Sequence, residues 1–308
     1  MVGLGGGRGL AASLSALRRI TDQVTAVVTV ADNGGSSGRL RTEFGVLPPG
    51  DLRKALAALC GDDDWGQTWA RVVQHRLASE GPLHGHAVGN LLIVALWELL
   101  SDEVVALEWV GRLLGVRGRV LPMAGVPLDI EAVVRGVDPR RPGERTTVRG
   151  QVAVATTPGT VESIRLLPAD PPAVPQAVTA VEEADWVVLG PGSWFTSVIP
   201  HLLVPELAGA LHRTPARRLL ALNLAPQPGE TEGFSPEKHL EVIAGHAPDL
   251  KIDVVLADVE VVKDRSSLEQ AAKGLGAEVV LAPVAHPDGS PSHDPARLSR
   301  AYAEILAP

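Results

Sequence analysis

Val24-Thr25-Ala26-Val27-Val28-Thr29-Val30-Ala31-Asp32-Asn33-Gly34-Gly35-Ser36-Ser37-Gly38-Arg39 is the stretch that decides the fold class. Residues 24–30 form the β-branched run expected of a strand buried on both faces, and a glycine cluster follows at once. Upstream, Met1-Val2-Gly3-Leu4 reads as the end of a strand and Gly5-Gly6-Gly7-Arg8-Gly9 as a loop. Residues 10–17 then place Leu10, Leu14 and Leu17 at i, i+4 and i+7, on one face of a helix. Strand, glycine loop, helix, strand and second glycine loop make a βαβ unit, the building block of a parallel sheet.

Downstream, residues 51–59, 65–78 and 88–100 carry apolar residues three and four apart, which predicts a helical segment over residues 51–116. Over residues 117–168 the texture changes to short β-branched runs broken by Pro and Gly, among them residues 151–157 and 161–167 around Pro158-Gly159. That pattern predicts a small antiparallel β insertion. Parallel-strand texture returns at residues 186–189, 219–222, 254–257 and 279–281, with helical stretches such as 236–245 between them. The Pro-rich residues 167–175 connect the insertion to the returning fold. The expected architecture is α/β, a doubly wound and mostly parallel sheet in a single domain of residues 1–308 that contains both the helical segment and the insertion.

The 308 residues hold 28 Lys+Arg against 36 Asp+Glu, a formal net charge of −8. No basic block forms a stripe that could neutralise a nucleic-acid backbone, so duplex binding is not expected. A hydrophobic fraction of 45% and a charged fraction of 21% are ordinary for a chain that folds around a core. Residues 26–30 and 91–100 are too short or too interrupted to span a bilayer, and no charged segment precedes an apolar one at Met1, so the expected location is cytoplasmic. Cys60, the single cysteine, ends an apolar helical pattern and reads as a small core residue.

The residues with chemistry lie where strands end. Gly5-Gly6-Gly7-Arg8-Gly9 lets the backbone approach a phosphate while the helix behind it offers unpaired N–H groups, and Arg8 adds charge. The spacing is neither the G-x-G-x-x-G fingerprint nor a P-loop. Asp32 ends the second strand, where an acidic side chain in dinucleotide folds meets ribose hydroxyls. Asn33, Gly34, Gly35, Ser36, Ser37 and Arg39 form a second candidate anion cradle. In Pro48-Pro49-Gly50-Asp51-Leu52-Arg53, Asp51 fits the N-cap of a helix. The alternative is that Asp51 faces a ligand or metal and Arg53 reaches a phosphate. His84-Gly85-His86-Ala87-Val88-Gly89-Asn90 reads as a ligand-contacting loop through His86 and Asn90, or as a hydrogen-bonded helix entry. Two histidines at i and i+2 could also share a metal, but no carboxylate or cysteine stands at ligand spacing. In Gly190-Pro191-Gly192-Ser193-Trp194-Phe195-Thr196-Ser197 the glycines permit close approach and Ser193, Thr196 and Ser197 can donate to phosphate. Trp194 and Phe195 either stack on a base or pack in the core.

In order and spacing these five motifs resemble the YvcK family of gluconeogenesis factors, a CofD-like group, over nearly the whole chain. The resemblance implies a Rossmann-like fold shared with the 2-phospho-L-lactate transferases. It also implies UDP-N-acetylglucosamine as ligand, a regulatory role in carbon-source use, cell-wall synthesis and cell shape, a cell-wall synthesis enzyme as partner, and a homodimer. Three departures from the family pattern stand out. Gly9 is followed by Leu10-Ala11-Ala12 with no lysine, unlike the transferases, which favours the regulatory branch. Asn33 stands where many relatives carry a second Asp, which weakens a metal site of adjacent carboxylates. Met1 falls almost on the first loop, which suggests a trimmed or misassigned start. The leading reading is a nucleotide-sugar-binding regulator. The alternative is a Mg²⁺-dependent phosphoryl or phospholactyl-type transferase, with Asp32 or Asp51 on the metal and Arg39 or Arg53 stabilising charge. An NAD-dependent oxidoreductase rests on fold alone and lacks the fingerprint.

Overall fold

The computed structural model describes residues 1–307. Its strands are β1 (Val2–Gly5), β2 (Thr25–Val28), β3 (Arg119–Pro122), β4 (Asp129–Arg135), β5 (Arg145–Arg149), β6 (Thr160–Leu167), β7 (Trp186–Leu189), β8 (Arg217–Ala221), β9 (Val254–Asp258) and β10 (Glu278–Ala282). The helices run α1 (Gly7–Leu17), α2 (Gly35–Phe44), α3 (Pro49–Ala58), α4 (Asp64–Gln74), α5 (Val88–Leu100) and α6 (Glu103–Leu114), then α7 (Gln151–Ala155), α8 (Pro175–Glu182), α9 (Pro205–Arg213), α10 (Pro236–His246), α11 (Arg265–Gly274) and α12 (Pro295–Ile305).

Seven strands form one parallel sheet in the order β10-β9-β8-β7-β1-β2-β3. Their apolar runs follow from that placement: β1, β7 and β9 are buried along their whole length because helices cover both faces. On one side α1 packs against α3 and α12, and Ser13 Oγ lies 2.9 Å from the Tyr302 hydroxyl in the buried seam between α1 and α12. From β1 the chain winds outward to β2 and β3; from β7 it winds the other way to β10. The strand order therefore reverses between β1 and β7, where an open α/β sheet has its crevice.

The antiparallel insertion is the three-stranded sheet β5-β4-β6. Along β4, Ile130, Ala132 and Val134 are buried, the period-two pattern of a sheet with one face on the core. Two parts of the segment expected to be antiparallel differ. Residues 119–122 pair in parallel with β2 and form the edge of the main sheet. Residues 151–157, expected as a β-branched run in that insertion, begin with the short helix α7 instead. Gly150 at φ 99 breaks the strand, and the side-chain oxygen of Asn33 accepts the N–H of Val152 at 3.1 Å, so long-range contacts override the β preference of Val152 and Val154. Cys60 is buried, and burial pushes its thiol up to about 11. Among the described residues no single helix is long and apolar enough to cross a membrane.

Candidate functional site

β1 delivers the first glycine loop to the crevice, and α1 starts there with Gly6 as its cap residue and no side chain satisfying its first N–H groups. A Cβ on Gly6 would stand 2.5 Å from Thr29 Cγ2, 2.7 Å from Asp51 Oδ2 and 3.1 Å from Ser197 Oγ. Side chains from the end of β2, the first turn of α3 and the turn after β7 thus meet over one backbone position. A Cβ on Gly9 would stand 2.3 Å from the Pro191 carbonyl oxygen, so the loops after β1 and β7 touch backbone to backbone. α2 also begins on a glycine, Gly34, with no side-chain cap.

Asp32 Oδ1 accepts the Gly34 N–H at 2.9 Å. Burial and then the nearby charge of Asp51 raise the Asp32 carboxyl above its ordinary range, against the pull of Gly34 N–H and the Ser37 hydroxyl. Asp51 is not the N-cap of α3, contrary to one sequence expectation: Pro48 holds that position, and Pro at the start of the helix shifts Asp51 to its third residue. There it is 8% exposed, its Oδ1 accepts from Lys54 Nζ at 2.8 Å, and its other oxygen faces Gly6.

Arg53 is 4% exposed and anchors a buried chain of polar groups. Its Nε donates to Asn90 Oδ1 at 2.8 Å, Asn90 Nδ2 donates to Ser36 Oγ at 3.0 Å, and Ser36 Oγ lies 3.0 Å from His86 Nδ1. The Ser36 hydroxyl thus joins Asn90 to the His86 ring. Burial, with Arg39 and Arg76 nearby, holds His86 below its ordinary value. His84 Nδ1 is engaged separately, with the Ser79 N–H at 3.4 Å, so the two histidines do not present a shared pair of nitrogens.

Several candidate residues are committed elsewhere. Arg39 is exposed and donates to the carbonyls of Pro82 and His84 at 3.2 and 2.7 Å, bracing that loop. Asn33 docks α7 through Val152. Ser193 and Thr196 are hydrogen-bonded to each other, and Ser193 Oγ donates to Glu230, whose carboxylate also accepts the N–H groups of Phe195 at 2.7 Å and Thr196 at 3.0 Å. The hydroxyls expected to bind phosphate therefore hold a carboxylate of the chain itself. Trp194 and Phe195 are fully buried and belong to the core. Ser197 remains against Gly6, and Arg8 is exposed in the first turn of α1.

Three residues were missed by sequence reasoning. Thr29 is buried with its methyl on Gly6 and its hydroxyl without a partner. Asn223, just past β8, clamps Gly192 by accepting its N–H at 2.9 Å and donating to its carbonyl at 2.8 Å. Glu230 lies in Gln227-Pro228-Gly229-Glu230-Thr231, a turn-rich stretch whose composition marks a loop and nothing about its partners. Thr29 and Asn223 had a usable signal, their place at a strand's carboxyl end, β2 for the first and β8 for the second.

A model of the family described as 2-phospho-L-lactate transferase CofD matches residues 1–284. The chain belongs to the CofD family. Among CofD-family relatives, a protein from Mycobacterium tuberculosis that carries the gluconeogenesis-factor name is 58% identical over 312 residues, covering 100% of this chain and 90% of its own. A gluconeogenesis factor from Listeria monocytogenes is 36% identical over 293 residues, covering 91% and 87%. The structure is similar to the crystal structure of a UPF0052-family protein from Bacillus halodurans, with a TM-score of 0.86 at 31% identity and 97% of each chain covered. The family expected from the motifs is the family found.

Proposed function

We propose that the chain is a ligand-sensing regulator whose crevice between β1 and β7 binds a nucleotide sugar of the UDP-N-acetylglucosamine type. The observation that carries this reading is the meeting of Gly6, Asp51 and Ser197 beside helix starts that no side chain caps. Uncapped N–H groups and the positive end of the helix dipole suit a diphosphate. The buried guanidinium of Arg53 adds charge, and Asp32 stands where a carboxylate meets ribose hydroxyls. The gluconeogenesis-factor name of the relatives supports a role in carbon metabolism. The proposal extends that role to cell-wall synthesis and cell shape, with a wall-synthesis enzyme as partner and the protein acting as a homodimer. Calorimetric titration with UDP-N-acetylglucosamine beside UDP, NAD and GTP tests the reading. Selective binding with the ligand recovered intact is expected; a preference for GTP or NAD would sink it.

A Mg²⁺-dependent transferase is the second reading, favoured by one observation: Asp32 Oδ2 stands 3.1 Å from where a Cβ on Gly50, the neighbour of Asp51, would be, and after burial the charge of Asp51 raises the Asp32 carboxyl. A divalent cation between the two would relieve that repulsion. Mg²⁺ commonly takes one or two carboxylates together with substrate phosphates and water, so Asp32 and Asp51 fit it as ligands. Arg53 would then stabilise charge on the transferred group. Product formed from an acceptor and Mg²⁺ in the same titration mixtures would establish this reading over the first.

A further inference from the structure

A helix on the surface of a domain needs one apolar stripe, turned to the core. α4 and α6 each carry a second. Inward, α4 buries Val73 and α6 buries Leu107, Val110 and Leu114. Outward, α4 sets Trp65, Trp69 and Val72 at i, i+4 and i+7, and α6 sets Val105, Trp109 and Leu113 at i, i+4 and i+8. Trp65 is 58% and Trp109 52% exposed, and Val72, Val105 and Leu113 are each more than a third exposed. Trp69 is half-buried, its ring centroid 5.7 Å from that of Trp65. Trp65 Nε1 donates to the Leu113 carbonyl at 3.1 Å, which joins the two stripes into one face. Of the eleven large apolar side chains exposed among the described residues, five lie on these two helices and no other element carries more than one, so this is a face and not scatter. Those five expose on the order of 400 Å² of apolar surface. One side of a standard interface covers about 800 Å², a little over half of it apolar, so the face matches one complete side.

We propose that this face binds a second copy of the chain, with the two α6 helices antiparallel about a twofold axis level with Trp109. Charge selects that occupant. Glu108 and Arg112 stand about one turn apart and flank the outer stripe on the same side of α6. Their order favours a pair within one helix, yet Glu108 Oε1 meets Arg119 at 2.9 Å and the Arg112 guanidinium lies over the Trp109 ring, 5.0 Å from its centroid. A twofold axis at Trp109 brings Arg112 to within two residues of Glu108 of the second copy, roughly 3 Å along the helix axis. Because such an interface repeats every contact, both cross-pairs form at once. Trp and Arg at its centre are the residue types that carry most interface energy. None of these residues belongs to the crevice between β1 and β7. The inference is therefore independent of the nucleotide-sugar reading, and it gives the homodimer proposed with that reading a surface.

The test is sedimentation equilibrium of the full chain beside Trp109→Glu, Glu108→Arg, Arg112→Glu and the double variant Glu108→Arg/Arg112→Glu, with circular dichroism of each to show that the helices are kept. The wild type is expected to be a dimer. Trp109→Glu is expected to weaken association about thirty-fold or more, the scale of a central interface tryptophan. Each single charge reversal acts twice per dimer and is expected to weaken it about ten-fold, while the double variant, whose exchanged charges face each other again, returns to within about three-fold of the wild type. A wild type that stays monomeric overturns the inference and the homodimer together and leaves the face to a different protein; the nucleotide-sugar reading is then decided by its own titration. Equal association of wild type and Trp109→Glu keeps the homodimer and overturns this face. A double variant no stronger than the single ones overturns the antiparallel pairing.

Discussion

Gly6 has no room for a methyl group, because Thr29 Cγ2 and Asp51 Oδ2 stand 2.5 and 2.7 Å from where it would be. Gly6→Ala should push Asp51 and Ser197 out of place, cost about 1–3 kcal/mol of stability in the manner of an overpacked core, and abolish nucleotide-sugar binding. Denaturant unfolding and titration of the same variant check both, and normal binding would remove this loop from the site. Asp32 makes a different prediction. Its carboxyl is raised by burial and by Asp51, so the folded chain holds that proton to a higher pH than the unfolded chain does. The resulting stabilisation is present below the unfolded value and is lost as pH rises through the folded one. At neutral pH the ionised carboxylate therefore works against folding. Asp32→Asn is expected to raise the thermal midpoint at pH 7.5 by roughly 2 °C. It is also expected to weaken the ligand by about 1–3 kcal/mol through a lost charge-assisted bond. A lowered midpoint would show that Asp32 stabilises the fold. Arg39 and Arg53 look alike in sequence, each following glycines at a helix start. Only packing separates them: Arg53 is enclosed by Asn90 and its neighbours, whereas Arg39 reaches out to a loop.

Among the elements, the turn after β7 owes its shape to a residue far along the chain. The Glu230 carboxylate accepts the N–H groups of Phe195 and Thr196 and the Ser193 hydroxyl, and burial raises its carboxyl above the usual range in spite of those donors. Glu230→Ala strands two buried N–H groups and should cost about 2–3 kcal/mol, whereas Glu230→Gln keeps an acceptor and should cost less than half of that. Chemical denaturation of the pair measures the difference; equal losses would mean that Glu230 acts by filling space. The same turn shows what its hydroxyls bond to within the chain. Ser193 and Thr196 have the right chemistry for phosphate at a strand end, and the element that satisfies them arrives only when residues 224–234 fold back over it. Helix α7 repeats the lesson, since Asn33 lies 119 positions from the Val152 it holds.

For the whole molecule, a crevice open at the sheet's switch point means that ligand binding and folding are linked. A ligand at about 100 times its Kd adds about 2.7 kcal/mol to the stability of the state it binds. UDP-N-acetylglucosamine at such a concentration should raise the thermal midpoint by several degrees, UDP by less and NAD not at all, as a thermal shift series would show; equal shifts for all three would point to a non-selective anion effect. The parallel sheet, the helical segment and the places of the glycine loops were legible in the sequence because each depends on local periodicity and turn chemistry. β-branched runs such as 186–189 announce a strand whatever surrounds them, and Gly5 to Gly9 announce a loop between strand and helix. The motifs also carried the family. What only the tertiary structure decided was the partner of each polar group: Asn33 taken by α7, Arg39 by the loop near His84, Ser193 by Glu230, and Asp51 turned toward Gly6. A hydrogen-bonding side chain advertises its capacity in sequence, but its partner is set by which distant segment packs beside it, and that is a property of the folded chain alone.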